Sequence, residues 1–500
     1  MPLRRRDFLL GTAATTVAAP AFGHRANEPR PNATDYLIIG AGTAGLPAAI
    51  FASRRGASVQ LVDAAPVIGG TLQIAQGQIS GAGTRLQRTL GIEDTPELHY
   101  DDIMRVTLGT ADPDIARLVA DNAGATIDWL LSAGFTPLPG HPVTGASPGR
   151  PAYSRRRYLW GADAGRSILQ VVLREIEPLL ADGRIRLALD SRVTQLLVDD
   201  NGAVRGASVL REGRAQEFHA RNVLLTCGGY AANGSLFRQL CGYPNYAGSA
   251  YVHSQGDGLA LATSVGGYLR GREKYRSGFG SILADEHYPA KVYARFNTVP
   301  QDRPPWEIWV NQLGERFVRE DEPDLLRREQ SLLGQSELRY WIVFDEAILR
   351  AAPPGIKGWS REQLRAACNR HPMFSSASSV DALAQATGID AHGLAATIAA
   401  YNKVVAGGRD PLGRRHAPHA ISRGPFYAIR HQGHSATSVV GVTVDAQLRV
   451  LRGGGDAVEN LYAAGEILGS GATMGKAFAA GMMLTPALTF GRLLGERLPI

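Results

Sequence analysis

Asp35-Tyr-Leu-Ile-Ile-Gly40-Ala-Gly42-Thr-Ala-Gly45 reads as a β-strand running into a glycine turn that opens a helix. A second strand, Ser58-Val-Gln-Leu-Val62, ends at Asp63, 18 residues after Gly45. In such a unit Gly40 permits the sharp turn. Gly42 lets the backbone approach a pyrophosphate whose charge the helix N-terminus stabilises, and Gly45 lets helix and strand pack closely. Asp63 stands where a carboxylate accepts a hydrogen bond from a ribose hydroxyl. The apolar strand before the glycines, the helical run after them and the acid at this distance separate a dinucleotide-binding unit from a structural glycine turn.

Upstream, Arg4-Arg5-Arg6-Asp7-Phe8-Leu9-Leu10 precedes a mildly apolar, Ala- and Thr-rich stretch that ends near Ala21-Phe22-Gly23. This pattern predicts a twin-arginine signal peptide over residues 1–23, a linker over 24–34 and a periplasmic mature protein. Such signals serve proteins that fold and take up cofactor before export, in keeping with a nucleotide site just downstream. Removing three arginines and Asp7 lowers the formal net charge from +7 to +5, a balance too mild to specify a polyanionic partner. No basic stripe with interleaved aromatics points to nucleic acid. No run of 18 apolar residues follows the signal, which argues against an integral membrane protein. Cys227, Cys241 and Cys368 are too few and too scattered for a disulfide framework or a metal site, so no metal is expected.

Downstream, a glycine-rich stretch runs from Gly69-Gly70-Thr71 past Gly77 to Gly83-Thr84, suited to backbone lying against a ligand. Apolar periodicity predicts helices over Asp114–Ala133 and Gly165–Leu180. A strand pair follows, Val193–Asp199 and Ala203–Leu210, joined by the turn Asp200-Asn-Gly202. The strand Asn222–Thr226 stops at Cys227-Gly228-Gly229. Between Gly271 and Ile421 the composition shifts to tryptophan, arginine and proline, with helices expected over Ser360–Asn369, Val380–Thr387 and Ala391–Val405. Strands return at Val439–Val444 and Asn460–Ala464, and a long small-residue helix is expected from about Thr473 to Leu494. This order predicts a nucleotide-binding domain over 35–270 and 422–500, with a second domain, 271–421, inserted in it.

Six motifs occur in one order along nearly the whole mature chain. They are Gly40-x-Gly42-x-x-Gly45; Gly69-Gly70-Thr71; Thr226-Cys-Gly228-Gly229-Tyr230; Gly256-Asp257-Gly258; Val310-Asn311-x-x-Gly314-x-Arg316-Phe317-x-x-Glu320; and Leu461-Tyr-Ala-Ala-Gly465-Glu466. Together they resemble the FAD-dependent fumarate reductase and 3-ketosteroid dehydrogenase superfamily. The resemblance implies an α/β fold, a Rossmann-like FAD-binding domain split by an inserted α+β capping domain. It also implies addition or removal of hydrogen across a C–C bond beside a carbonyl or carboxylate. Carried over by residue, it assigns Gly40, Gly42, Gly45 and Asp63 to the adenosine and pyrophosphate, Gly69, Gly70 and Thr71 to the flavin side, and Ala44 and Gly77 to the cofactor site. Val193, Gly228, Gly229, Asp257, Gly465, Glu466, Gly471 and Ala472 complete the cofactor set. With a single nucleotide fingerprint, NAD(P) is disfavoured as electron partner, and a quinone or separate cytochrome is expected.

Hydride exchange at a flavin also needs a proton donor or acceptor and groups that polarise the activating carbonyl. The family's proton-transfer residue lies eight positions after the Arg of its Arg-Phe-x-x-Glu motif, which here is Asp324. Desolvation would make this aspartate a base, but it cannot replace an anchoring arginine. A shift in the loop would bring Arg327 or Arg328 into the slot instead, and a solvated acidic loop is the structural alternative. Spacing from Gly465-Glu466 puts Lys476 where fumarate reductases clamp the substrate carboxylate with arginine. Alignment on Met474-Gly475 puts Phe478 where ketosteroid dehydrogenases carry a carbonyl-polarising tyrosine. His434, just upstream of Thr437-Ser-Val-Val-Gly441, is a candidate donor to a substrate carbonyl or a structural loop histidine, and Tyr158 is a candidate for the pocket. The expected activity is dehydrogenation of a ketone or ketosteroid-like substrate. Its alternatives are reduction of an unsaturated carboxylate and a non-catalytic flavin-binding protein.

Overall fold

The computed structural model describes residues 33–145, 153–246 and 248–500. The signal peptide expected over 1–23 and most of the linker expected over 24–34 lie outside the described residues.

The glycine motif folds as its spacing requires. Thr34–Ile39 forms a strand, Gly45–Arg54 a helix and Val59–Val62 a strand parallel to the first, with Ile39 opposite Val62. Gly40 adopts φ +111°, and a Cβ there would lie 2.5 Å from the Thr226 carbonyl oxygen. These strands are the centre of an eight-stranded sheet. Arg214–Leu225 and Ala457–Ala463 extend it in parallel on one side and Ile185–Ala188 on the other. Parallel strands buried on both faces need continuous apolar runs, as Tyr36–Ile39 and Val223–Leu225 supply. Helices Pro113–Ser132 and Ala164–Ala181 form where periodicity placed them.

Ser191–Val198 and Val204–Arg211 pair antiparallel, and the second pairs with Arg214–Leu225. That last strand is 12 residues long, reaching upstream of the expected start at Asn222, because its first half is exposed and polar and carries no apolar signal. Val439–Val444 shrinks to a two-residue strand, Gly441–Val442, on Leu269–Arg270. The expected helix from Thr473 is interrupted. A turn of helix covers Ser470–Thr473 and the terminal helix is Leu484–Arg497. Gly475 at φ +57° and Gly481 at φ +79° break it, each pressed onto neighbouring backbone or side chain: a Cβ would lie 2.2 Å from Thr110 Oγ1 and 2.6 Å from Ser80 Oγ respectively.

The inserted segment builds a second, antiparallel sheet in the order Val292–Ala294, Gly278–Leu283, Phe426–His434, Arg339–Asp345, Ile308–Val310, with helices around it. Its central strand, Phe426–His434, falls in the stretch the sequence division gave to the second FAD segment. It pairs on both sides with strands of 271–421, so the capping sheet takes in these nine residues as well. Some arginines of this domain are internal. Arg316 donates to both Glu320 oxygens at 2.7 and 2.6 Å, and to Asp410 at 2.5 Å, and Arg414 lies 3.1 Å from Glu320. The Arg-Phe-x-x-Glu motif is thus a buried ion network that holds the cap together.

Candidate functional site

A cavity of about 550 Å³ runs along the carboxyl ends of the parallel strands and under the cap. Its wall includes Gly40, Gly42, Ala44 and Asp63 from the first βαβ unit, and Gly70, Thr71 and Gly77 from the glycine-rich stretch. Val193, Gly228, Asp257, Gly465 and Glu466 also line it, and His434 reaches it from the cap sheet. Residues from seven separate stretches of chain thus meet on the wall of one cavity.

Other members of the expected set support the wall from behind. A Cβ on Gly45 would lie 1.8 Å from the Gly40 carbonyl oxygen, so this glycine serves helix packing. Gly69 donates its N–H to Ala41 O at 2.8 Å. Gly471 and Ala472 are buried off the wall, the first donating to Val439 O and the second accepting from Asp112 N.

The two acids are held differently. Asp63 accepts from Ala41 N at 2.6 Å through Oδ2 and from Ala65 N at 2.7 Å through Oδ1, while burial raises its pKa. It therefore fixes the glycine turn as well as facing the cavity. Glu466 accepts from Ser438 N at 2.8 Å and Ser438 Oγ at 2.9 Å, both on Oε1, and burial pushes its pKa up. Oε2 makes no hydrogen bond among the described residues. Gly229 sits against this pair; a Cβ there would lie 2.0 Å from Ser438 Oγ and 2.8 Å from Glu466 Oε1. A glycine turn open to the cavity at one end and a carboxylate oxygen without a protein partner further along fit a dinucleotide with hydroxyl groups between its phosphates and its ring. FAD is the cofactor these residues would hold, with Asp63 and Glu466 accepting from its hydroxyls. Cys227 lines the same wall, and burial raises its thiol to about 12, so it is an inert neutral group.

Three expected catalytic residues lie elsewhere. Asp324 is the N-cap of the helix Leu325–Leu333, accepting from Leu326 N at 2.9 Å, and does not line the cavity. An acid followed by Leu-Leu-Arg-Arg-Glu starts a helix, and the cap claims the carboxylate. Of the two arginines that a loop shift would have offered, Arg327 is 73 % exposed and Arg328 is buried with its guanidinium 5.6 Å from the Phe279 ring. Lys476 is exposed, because the glycine break at 475 turns its side chain out of the wall. Tyr158 is buried opposite Ser80 in a short strand pair, its ring 5.1 Å from that of Trp160.

In their place His434 and Arg295 reach the wall from the cap, and Thr437 and Phe478 line it as well. Arg295 is exposed at the mouth, and among the described residues it makes no ion pair or hydrogen bond. It is one of many arginines between 271 and 421, so no spacing singled it out. His434 Nδ1 lies 3.4 Å from the Gln432 carbonyl oxygen. Burial lowers the His434 pKa, the Gln432 contact opposes this, and the Arg295 charge lowers it further. The ring is therefore neutral at pH 7, and with Nδ1–H donating to Gln432 its Nε2 is a lone pair. Among the described residues no helix is long and apolar enough to cross a membrane.

Comparison with known proteins bears on the family and the fold. The FAD binding domain family matches residues 35–480. The cytochrome-type fumarate reductase of Shewanella frigidimarina is 28% identical over 472 residues, covering 92% of this chain and 76% of that protein. The open conformation of a flavocytochrome c3 fumarate reductase superposes with TM-score 0.68 at 25% identity, covering 93% of this chain and 78% of that one. The 3-ketosteroid Δ1-dehydrogenase of Sterolibacterium denitrificans shares the fold, with TM-score 0.69 at 19% identity over 93% of this chain and 99% of that one. The chain belongs to the FAD binding domain family, as an FAD-dependent oxidoreductase of the fumarate reductase and 3-ketosteroid dehydrogenase superfamily.

Proposed function

We propose that this protein reduces a carbon–carbon double bond conjugated to a carboxylate. The observation that carries the reading is the pairing, at the cap end of the cavity, of Arg295 with His434. Arg295 is the one arginine or lysine on the wall among the described residues. Reduction of an enoate needs its carboxylate held and polarised, a hydride at one alkene carbon and a proton at the other. Bound FAD supplies the hydride chemistry. Arg295 offers the planar fork that takes a carboxylate through two parallel hydrogen bonds, and its position at the mouth orients the double bond inward. His434 Nε2 takes up a proton from water and transfers it to the alkene carbon. A bound carboxylate counters the burial and the Arg295 charge that keep His434 neutral, so substrate binding itself favours the charged ring.

Dehydrogenation beside a ketone is the second reading. The observation that favours it is the same Nε2 lone pair, which can accept a proton next to a carbonyl where Asp324, outside the cavity, cannot. In either direction the proposal includes export by the twin-arginine route and a quinone or separate cytochrome as electron partner. The test is anaerobic stopped-flow absorbance. Chemically reduced protein reoxidised within seconds by enoates supports the reductase. Oxidised protein bleached by saturated cyclic ketones, with no response to enoates, refutes it in favour of the dehydrogenase. Flavin inert to both panels refutes catalysis and leaves a binding protein.

A further inference from the structure

We infer that the pocket selects monocarboxylates with an apolar body and rejects dicarboxylates, because the Phe478 ring screens a second cation, Arg276, from the substrate. This rests on the enoate-reductase reading. Lys476, the residue that spacing offered as an anion clamp, points away from the cavity, and Phe478 forms the wall two residues on. The Arg276 guanidinium lies 5.4 Å from the centroid of the Phe478 ring, while Arg276 itself does not line the cavity. The aromatic ring therefore stands between a guanidinium and the substrate space.

Arg276 is held there by the ring face and by Glu329, 3.9 Å away with a side chain 6% exposed. At that distance the ion pair is loose, so the guanidinium keeps hydrogen-bonding capacity for an anion. Gly278, two residues on, pairs with His434 in the cap sheet, so Arg276 leads into the strand next to the one that carries the proton-transfer histidine. Besides Phe478, the wall carries the apolar side chains of Ile74, Met482, Met483 and Leu484. A substrate anchored by one carboxylate at Arg295 thus meets hydrocarbon at its other end. A second carboxylate would be desolvated against Phe478 and methionine without a partner, which disfavours it strongly. A phenyl or branched alkyl group would be welcome.

The test compares reoxidation of reduced flavin by cinnamate and by fumarate, in wild type, Phe478→Ala, and Phe478→Ala with Arg276→Gln. Phe478→Leu serves as a conservative control, and retention of the flavin spectrum reports that each variant is folded. Wild type is expected to favour cinnamate at least tenfold in kcat/KM. Phe478→Ala should uncover Arg276 and shift that preference at least tenfold toward fumarate; adding Arg276→Gln should abolish the shift. Equal use of both substrates by wild type, or the same shift in the double variant, overturns the inference. Failure of every enoate to reoxidise any form, Phe478→Leu included, would instead refute the reductase reading on which it stands.

Discussion

Gly229→Ala is the sharpest probe of how the cofactor site is built. The new Cβ would lie 2.0 Å from Ser438 Oγ, 2.7 Å from Ser438 Cβ and 2.8 Å from Glu466 Oε1, so the serine side chain must leave its place. That hydroxyl accepts from Tyr230 N at 2.7 Å and donates to Glu466 Oε1 at 2.9 Å. Leaving the buried Tyr230 N–H without an acceptor costs about 1–3 kcal/mol, and losing a hydrogen bond to a charged group about 1.5–3 kcal/mol. The sum, roughly 2.5–6 kcal/mol, is a large part of the 5–15 kcal/mol typical of a folded domain. Displacing the Glu466 seat should weaken FAD binding on the order of 10- to 100-fold, since about 1.4 kcal/mol corresponds to tenfold. Urea unfolding followed by circular dichroism gives the first quantity, and titration of FAD into apoprotein gives the second. Gly454→Ala is the control: its Cβ meets nothing nearer than Asp456 Oδ2 at 3.9 Å, and it should fall within about 0.5 kcal/mol of wild type. If Gly229→Ala matches that control in both assays, the Gly229–Ser438–Glu466 arrangement does not hold the cofactor as argued.

The proton-transfer role of His434 gives a pH profile. Because burial and Arg295 place its pKa below the ordinary value near 6.5, kcat/KM for enoate reduction should rise as pH falls through a midpoint below 6.5. Arg295→Gln should move that midpoint upward while raising KM, and an unmoved midpoint would separate the two residues. Asp324→Ala should destabilise the cap by about 1 kcal/mol through loss of the helix N-cap, yet leave flavin reoxidation by substrate unchanged, as should Lys476→Ala. Slowed reoxidation in either variant would return that residue to the site. Burial depresses His431 to about 4 and His99 to about 3, so the unfolded chain binds more protons below pH 6.5, and stability should fall as pH drops from about 6.5 toward those values. His99→Leu should flatten that dependence in urea titrations at pH 7 and pH 5; an unchanged slope would show that His99 does not carry it.

What the sequence determined by itself was local. The strand, glycine turn, helix and acid from Asp35 to Asp63 follow from backbone φ preferences and apolar periodicity over a few residues. The cofactor and the family were legible from motifs of that kind. The helices over Val380–Thr387 and Ala391–Val405 form where periodicity puts them. Asp324 was misread although its sequence carries a helix-start signal, because motif spacing says which residue occupies a slot and not whether the slot faces the ligand. Lys476 was misread because an apolar, small-residue stretch looks helical until Gly475 and Gly481 meet backbone from Thr110 and Ser80. Only the tertiary structure decided that Gly229, Ser438 and Glu466 form one seat, that Phe426–His434 belongs to the cap sheet, that Arg295 and Phe478 share a wall with His434, and that Arg276 lies against the Phe478 ring. These contacts join segments far apart in the chain, and their distances are set by packing between two sheets, which no local pattern of residues encodes.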